Sequence, residues 1–152
     1  PVDVRAELAR VAEYYEAALE DAGVALRIEG QARAQANPRL LRRAAANLVS
    51  NAIKAAPRGS CILVACTAQA GEVAVRVHNT GTPIAAAALP RIFDRFYRAD
   101  GARGGRETGH GLGLAIVRAV ARMHGGRAFA ASDADGTEVG FTVAAPAHIT
   151  EK

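Results

Sequence analysis

The sequence lacks much of what would assign it a role quickly. It has no tryptophan and only 5% aromatic residues, too few for the stacking platforms on which single-stranded nucleic acids are held. No apolar run approaches the roughly 20 residues that cross a bilayer, and no signal-peptide pattern opens the chain. There are only two cysteines, Cys61 and Cys66, and no histidine or third cysteine lies near enough to complete a zinc set. Buried, reduced thiols are expected, in keeping with a cytosolic compartment. The net charge is +4, but Arg5, Arg27, Arg42, Arg76, Arg91 and Arg118 are scattered rather than gathered in a stripe, so no nucleic-acid partner is expected. What is present is core material: 50% of 152 residues are hydrophobic, enough for one domain and short for two.

Periodicity lays out the elements. Val4, Leu8, Val11, Ala12, Tyr15, Ala18 and Leu19 recur at helical spacing up to Gly23, which predicts one helix over residues 3–22. Val24 to Ile28 alternates like a short strand and breaks at Gly30. Asn37-Pro38 reads as a helix start, a capping amide before a proline tolerated in the first turn. That helix should run to about Ala56, where Pro57-Arg58-Gly59 stops it. Cys61 to Thr67 and Val73 to His78 read as strands joined near Gly71, with Val73, Val75 and Val77 on one buried face and His78 exposed. Asn79 to Pro90 is loop-like, and Arg91 to Arg98 reads as a short apolar-aromatic helix or turn. Residues 99–110 shift to Gly101, Gly104, Gly105 and Gly109 with Arg103 and Arg106 among them. Such a segment has little apolar surface to offset its ordering entropy, which makes it a candidate mobile lid. A helix over 112–124 and strands over about 127–132 and 137–144, around an Asp135-Gly136 turn, complete the order αβαββ, lid, αββ. The expected fold is α+β, a single domain over residues 1–152, with helices on one face of a mixed sheet.

The chemistry concentrates in two places. Gly109-His110-Gly111-Leu112-Gly113 sets three glycines at alternate positions before the apolar run Leu114-Ala115-Ile116-Val117. Glycines let backbone N–H groups approach an anion, and the helix start that follows adds unpaired donors and a favourable dipole. A helix that simply packs closely uses the same pattern. On the helix from Pro38, Asn47, Asn51 and Lys54 recur at i, i+4 and i+7 and share one face, beside an apolar stripe of Leu41, Ala45, Leu48 and Ala52. An ordinary solvated face is the alternative for that triad. With the glycines, the triad gains a chemical sense: an amide oxygen is a hard ligand suited to Mg²⁺, and lysine offers phosphate a point charge.

Four segments in order then resemble one family. Asn47-Leu-Val-Ser-Asn51-Ala-Ile-Lys54 looks like an N box and Asn79-Thr-Gly81-Thr-Pro83-Ile84 like a G1 box. Ile92-Phe93-Asp94-Arg95-Phe96-Tyr97-Arg98 looks like an F box, and Gly109 to Gly113 like a G2 box. The chain therefore resembles the catalytic ATP-binding domain of sensor histidine kinases, within the GHKL superfamily, and is most similar to the heavy-metal, copper/silver-type group. The resemblance implies a Bergerat-type pocket with a lid at 99–110, holding ATP and Mg²⁺. It implies Asn51 as the Mg²⁺ ligand with Asn47 beside it, and Lys54 and Arg98 at the phosphates. Asn79 would recognise adenine, Gly81 would clear room for the base, and Gly109, His110, Gly111, Leu112 and Gly113 would contact phosphate. Four positions depart from the family pattern. Asn79 replaces the usual Asp, Pro83 a glycine, Ala55 an aromatic residue, and His110 a Thr or Ser. An amide can turn to present either oxygen or NH₂, so weaker discrimination between ATP and GTP is expected.

Each of the four histidines sits outside the context of a phosphoacceptor: His78 precedes Asn, His110 and His124 precede Gly, and His148 precedes Ile. His124 is read as a helix-end residue meeting the dipole and His148 as part of a loose tail. The acceptor is expected on a dimerisation domain of the full-length homodimer, with a response regulator downstream. The start at Pro1 suggests a fragment, the cytoplasmic domain of a bacterial inner-membrane protein, with membrane contact only through segments outside this chain. A Rossmann site would need its glycines after the first strand, and a P-loop needs Gly-Lys-Ser/Thr. A stand-alone serine kinase of anti-sigma-factor type and a degenerate nucleotide-sensing or docking module are the remaining alternatives.

Overall fold

Alternation along the chain builds the sheet. In the computed structural model, which describes residues 1–94 and 113–146, five strands form it: β2 (Ala25–Glu29), β4 (Cys61–Gln69), β5 (Glu72–Asn79), β6 (Ala128–Asp133) and β7 (Gly136–Ala144). Their order is β2-β4-β5-β7-β6, with β2 and β4 parallel and the other neighbours antiparallel. Val73, Val75 and Val77 on β5 are at most 2% exposed. They sit opposite Ala68, Cys66 and Val64 on β4 and Val143, Phe141 and Val139 on β7. Directly paired residues share a face, so this side of the sheet is a continuous apolar surface.

Among the described residues four helices cover it: α1 (Val4–Tyr14), α2 (Glu16–Ala22), α3 (Pro38–Ala55) and α4 (Gly113–Met123). Val4, Leu8 and Val11 from α1, Leu41, Ala45, Leu48 and Ala52 from α3, and Val117, Val120 and Ala121 from α4 enter one core with the inner strand residues. Each fully buried Val or Leu contributes about 1.5–3 kcal/mol, so the helices are held by the stripes their periodicity predicts. α3 begins as expected: the Asn37 carbonyl oxygen Oδ1 accepts from the N–H groups of Arg39 at 2.9 Å and Leu40 at 3.1 Å, with Pro38 in the first turn.

On the open face Arg76 pairs with Glu138 and Arg127 with Glu72, each at 3.0 Å. Phe129 lies over Gly140, where a Cβ would come within 2.6 Å of the ring, and the guanidinium carbons of Arg76 and Arg127 stand 5.7 and 6.0 Å from its centroid. Ala74, paired with the equally buried Thr142, is covered on this side too, so β5 is enclosed on both faces at its centre.

Several local expectations need correction. The helix over 3–22 is two helices. Tyr15 sits at φ −96° and ψ 10°, its N–H shared between the Val11 and Ala12 carbonyls at 3.2 Å, and its ring packs edge-on against Tyr14 and against the core. Two-residue strands β1 (Val2–Asp3) and β3 (Arg33–Ala34) pair antiparallel; they are too short to show alternation. The last hairpin turns at Ala134-Asp135, because the Asp133 carboxylate accepts the Asp135 N–H at 2.8 Å and pairs Asp133 with Gly136. Gly136 packs against His78, which is half-buried rather than exposed. Cys61 is exposed while Cys66 is buried: strand parity turns Ile62, Val64 and Cys66 inward and Cys61 outward. A 3-10 turn at Leu89–Arg91 precedes the expected start of the 91–98 segment. Positions 95–98, the 99–110 lid and His148 lie outside the described residues.

Candidate functional site

The C-terminal half of α3 collects the sequence-predicted residues. Asn51 and Lys54 are exposed on it and Asn47 is half-buried. Asn47 faces the start of α4: a Cβ on Gly113 would stand 3.4 Å from its Oδ1. The last member of the glycine run thus meets the first amide of the polar stripe, and Gly113 gives that amide room.

Beyond α3 the loop after β5 arrives. Gly81 has φ +129°, and a Cβ there would lie 2.7 Å from the Ala55 carbonyl oxygen, so this position combines a left-handed backbone with close approach. The loop therefore passes the end of α3 one residue after Lys54. Asn79, at the end of β5, is 8% exposed, and its Nδ2 donates to the Thr80 carbonyl at 2.7 Å. With Nδ2 engaged there, Oδ1 is the atom of this amide that can accept a hydrogen bond. Turning the amide, as the sequence alone allows, would set oxygen against oxygen at Thr80.

Two residues here were missed. Thr137, 6% exposed, is paired with Asn79 across β5 and β7. Its hydroxyl lies 2.7 Å from that of Ser132, which accepts the Ile84 N–H at 2.8 Å. The Thr80–Ile84 loop is thereby stitched to the β6–β7 hairpin. The available signal was parity: Ser132 and Thr137 occupy inward positions that elsewhere on β6 and β7 hold apolar residues. The segment before residue 95 is tied in as well, since Asp94 pairs at 3.5 Å with Arg118 of α4 and with Arg91. Arg98, Gly109, His110, Gly111 and Leu112 lie outside the described residues.

Among the described residues no three His, Cys, Asp or Glu side chains gather; the hard donors at this end of α3 are the amide oxygens of Asn47 and Asn51. Among them, too, no helix is long and apolar enough to cross a membrane. A depression of about 590 Å³ between α1 and α3, lined by Arg10, Tyr14, Tyr15 and Arg43, contains none of the predicted residues.

The family model of histidine kinase-, DNA gyrase B- and HSP90-like ATPases matches residues 36–148. The chain belongs to that family. Among its curated relatives, sensor histidine kinase CusS of Escherichia coli strain K12 is 44% identical over 142 residues, 93% of this chain and 29% of that protein. Sensor protein IrlS of Burkholderia pseudomallei is 46% identical over 82% of this chain and 27% of its own length. Sensor protein CzcS of Cupriavidus metallidurans is 37% identical over 95% and 30%. This ATPase-family chain thus spans less than a third of the length of each of these three relatives, and they agree with the heavy-metal sensor group expected from the sequence. Of solved structures, the mycobacterial sensor histidine kinase MprB superposes with a TM-score of 0.80 at 26% identity, over 95% of this chain and 97% of that one. Full-length ShkA in complex with AMPPNP gives 0.78 at 28% identity, over 97% of this chain and 32% of that one. The α+β fold is that of histidine kinase catalytic domains, and these relatives do not favour the serine-kinase alternative.

Proposed function

We propose that this domain binds Mg-ATP at the C-terminal half of α3 and presents the γ-phosphate to a histidine on a separate dimerisation domain of the full-length homodimer, a response regulator then taking the phosphoryl group. The observation that carries the reading is the meeting of three distant segments along the C-terminal half of α3: Gly113 against Asn47, and Gly81 against Ala55, with Asn79 two residues before Gly81 and its Nδ2 held on the Thr80 carbonyl.

In this reading Asn79 Oδ1 accepts from the adenine amino group, and the Thr80 carbonyl keeps the amide in the accepting orientation, so adenine is preferred over guanine without a carboxylate. Gly81 leaves space for the base. Asn51 is an Mg²⁺ ligand; Mg²⁺ suits one protein oxygen plus phosphates and waters, and it would screen the γ-phosphate. Lys54 and Arg98 meet the phosphates, Asn47 orients beside the metal, and the N–H groups of residues 109–113 contact the phosphate chain. The AMPPNP complex of ShkA, an adenine nucleotide bound by a structural neighbour, supports the nucleotide class. A place on the cytoplasmic side of a bacterial inner membrane agrees with relatives named as sensor proteins.

Titration calorimetry with ATP, with and without Mg²⁺, tests the pocket, and incubation with γ-labelled ATP tests the division of labour. Metal-dependent binding and no stable label on the chain's own histidines are expected, with label appearing on a dimerisation domain added in trans. Absence of ATP affinity, or labelled histidine within this chain, overturns the reading.

A further inference from the structure

His124, the first residue beyond α4, makes contacts that nucleotide binding leaves unused. Its Nδ1 lies 2.8 Å from the Val120 carbonyl oxygen, and its Nε2 accepts the backbone N–H of Asn37 at 3.1 Å. A carbonyl oxygen can only accept, so Nδ1 carries a proton; a backbone N–H can only donate, so Nε2 carries none. Together the two bonds admit a single state of the ring, neutral and protonated on Nδ1. The surrounding backbone is equally constrained. The Ala144 N–H donates to the His124 carbonyl at 3.1 Å, and the Ala144 carbonyl accepts from the Gln35 N–H at 2.9 Å. Gly126 has no room for a side chain, since a Cβ would lie 1.9 Å from the Thr142 carbonyl oxygen. The end of α4, the lead-in to α3 and the last residue of β7 are therefore tied at one point. At the far end of the same helix pair Gly113 rests on Asn47, so α3 and α4 run antiparallel with an anchor at each end.

We propose that His124 is a positioning residue: its imidazole sets the axial register of α4 along α3 and thereby where Gly113 meets Asn47 and the stripe of Asn51 and Lys54. The functional half of this inference rests on the nucleotide reading above. Slippage by one helical residue moves Gly113 about 1.5 Å, a displacement that matters for groups positioned around phosphate.

Two experiments decide it. In the ¹⁵N-labelled chain without nucleotide, His124 should show the Nδ1–H tautomer, and a nitrogen–nitrogen coupling should connect its Nε2 to the Asn37 amide across the hydrogen bond. An Nε2–H tautomer, or no such coupling, overturns the tie. In binding, His124→Leu should weaken ATP roughly tenfold or more while changing adenosine less than about twofold, because register moves the phosphate end and not the base. His124→Gln, whose amide can both donate to Val120 and accept from Asn37, should recover most of the loss. Equal losses for ATP and adenosine, or a glutamine variant no better than leucine, mean that the ring only packs. If His124→Leu does not fold, the tautomer and the glutamine variant decide. If the unvaried chain binds no ATP, the nucleotide reading fails, while the tautomer and coupling still judge the tie.

Discussion

Along α3, Leu41, Ala44, Ala45, Leu48, Val49 and Ala52 are no more than 3% exposed, whereas Asn51 and Lys54 on the same helix face solvent and Asn47 stands between. Both surfaces share one backbone, one cap and one set of helical hydrogen bonds. They differ in what answers to them: the apolar stripe is met by α1, α4 and the sheet, the polar stripe by Gly113 and, past its end, by Gly81. Bulk meets one side and glycine the other. A helix anchored by its buried face can hold amides and an ammonium at fixed spacing on the opposite side without those groups contributing much to stability.

That contrast can be broken in measurable ways. Leu48→Ala should cost the most, about 2–5 kcal/mol in denaturant unfolding, from lost burial and a residual cavity; a cost below about 1 kcal/mol would mean the stripe does not hold the helix. Gly81→Ala should come next at about 1–3 kcal/mol, because φ +129° and the Ala55 oxygen both oppose a Cβ; ATP affinity should fall with it, and an unchanged protein would show that the loop shifts freely. Asn51→Ala and Lys54→Ala should move unfolding by no more than about 0.5 kcal/mol while weakening Mg-ATP, with the lysine change sparing adenosine. A collapse of thermal stability in either would make the polar stripe structural. The smallest effect belongs to β4, where the same division recurs between two thiols. Burial pushes the Cys66 thiol above its ordinary range, so less thiolate is available to react. A thiol reagent on the native chain should label Cys61 without changing stability and reach Cys66 only on unfolding; equal labelling rates would contradict the inward parity of Cys66.

The helices and strands were legible wherever a single period ran for two turns or more. Asn37-Pro38 and Pro57 bracketed α3 to within a residue, and the valines of β5 declared their face. The break at Tyr15 was not legible, because no glycine or proline marks it and the apolar spacing continues across it. The turn lies at Ala134-Asp135, one residue before the Asp135-Gly136 position that the glycine suggests, because the Asp133 side chain sets it. In the site, the residue types of Asn47, Asn51, Lys54, Asn79 and Gly81 were readable from spacing and resemblance. The orientation of the Asn79 amide, the Ser132 to Thr137 stitch and the Nε2 bond of His124 were not, because each depends on a partner far away in the chain.

The pairing of Asn79 with Thr137 also dictates an order of assembly. Hairpins β4–β5 and β6–β7 close over two-residue turns, whereas the β5–β7 ladder must wait until the chain between Asn79 and Gly136 has been brought round, and loop-closure entropy makes such non-local joining the slow event. The proposed adenine position lies on that seam, so it does not exist in either hairpin alone. Nucleotide can then recognise only the completed sheet, and its binding energy adds to native stability by mass action.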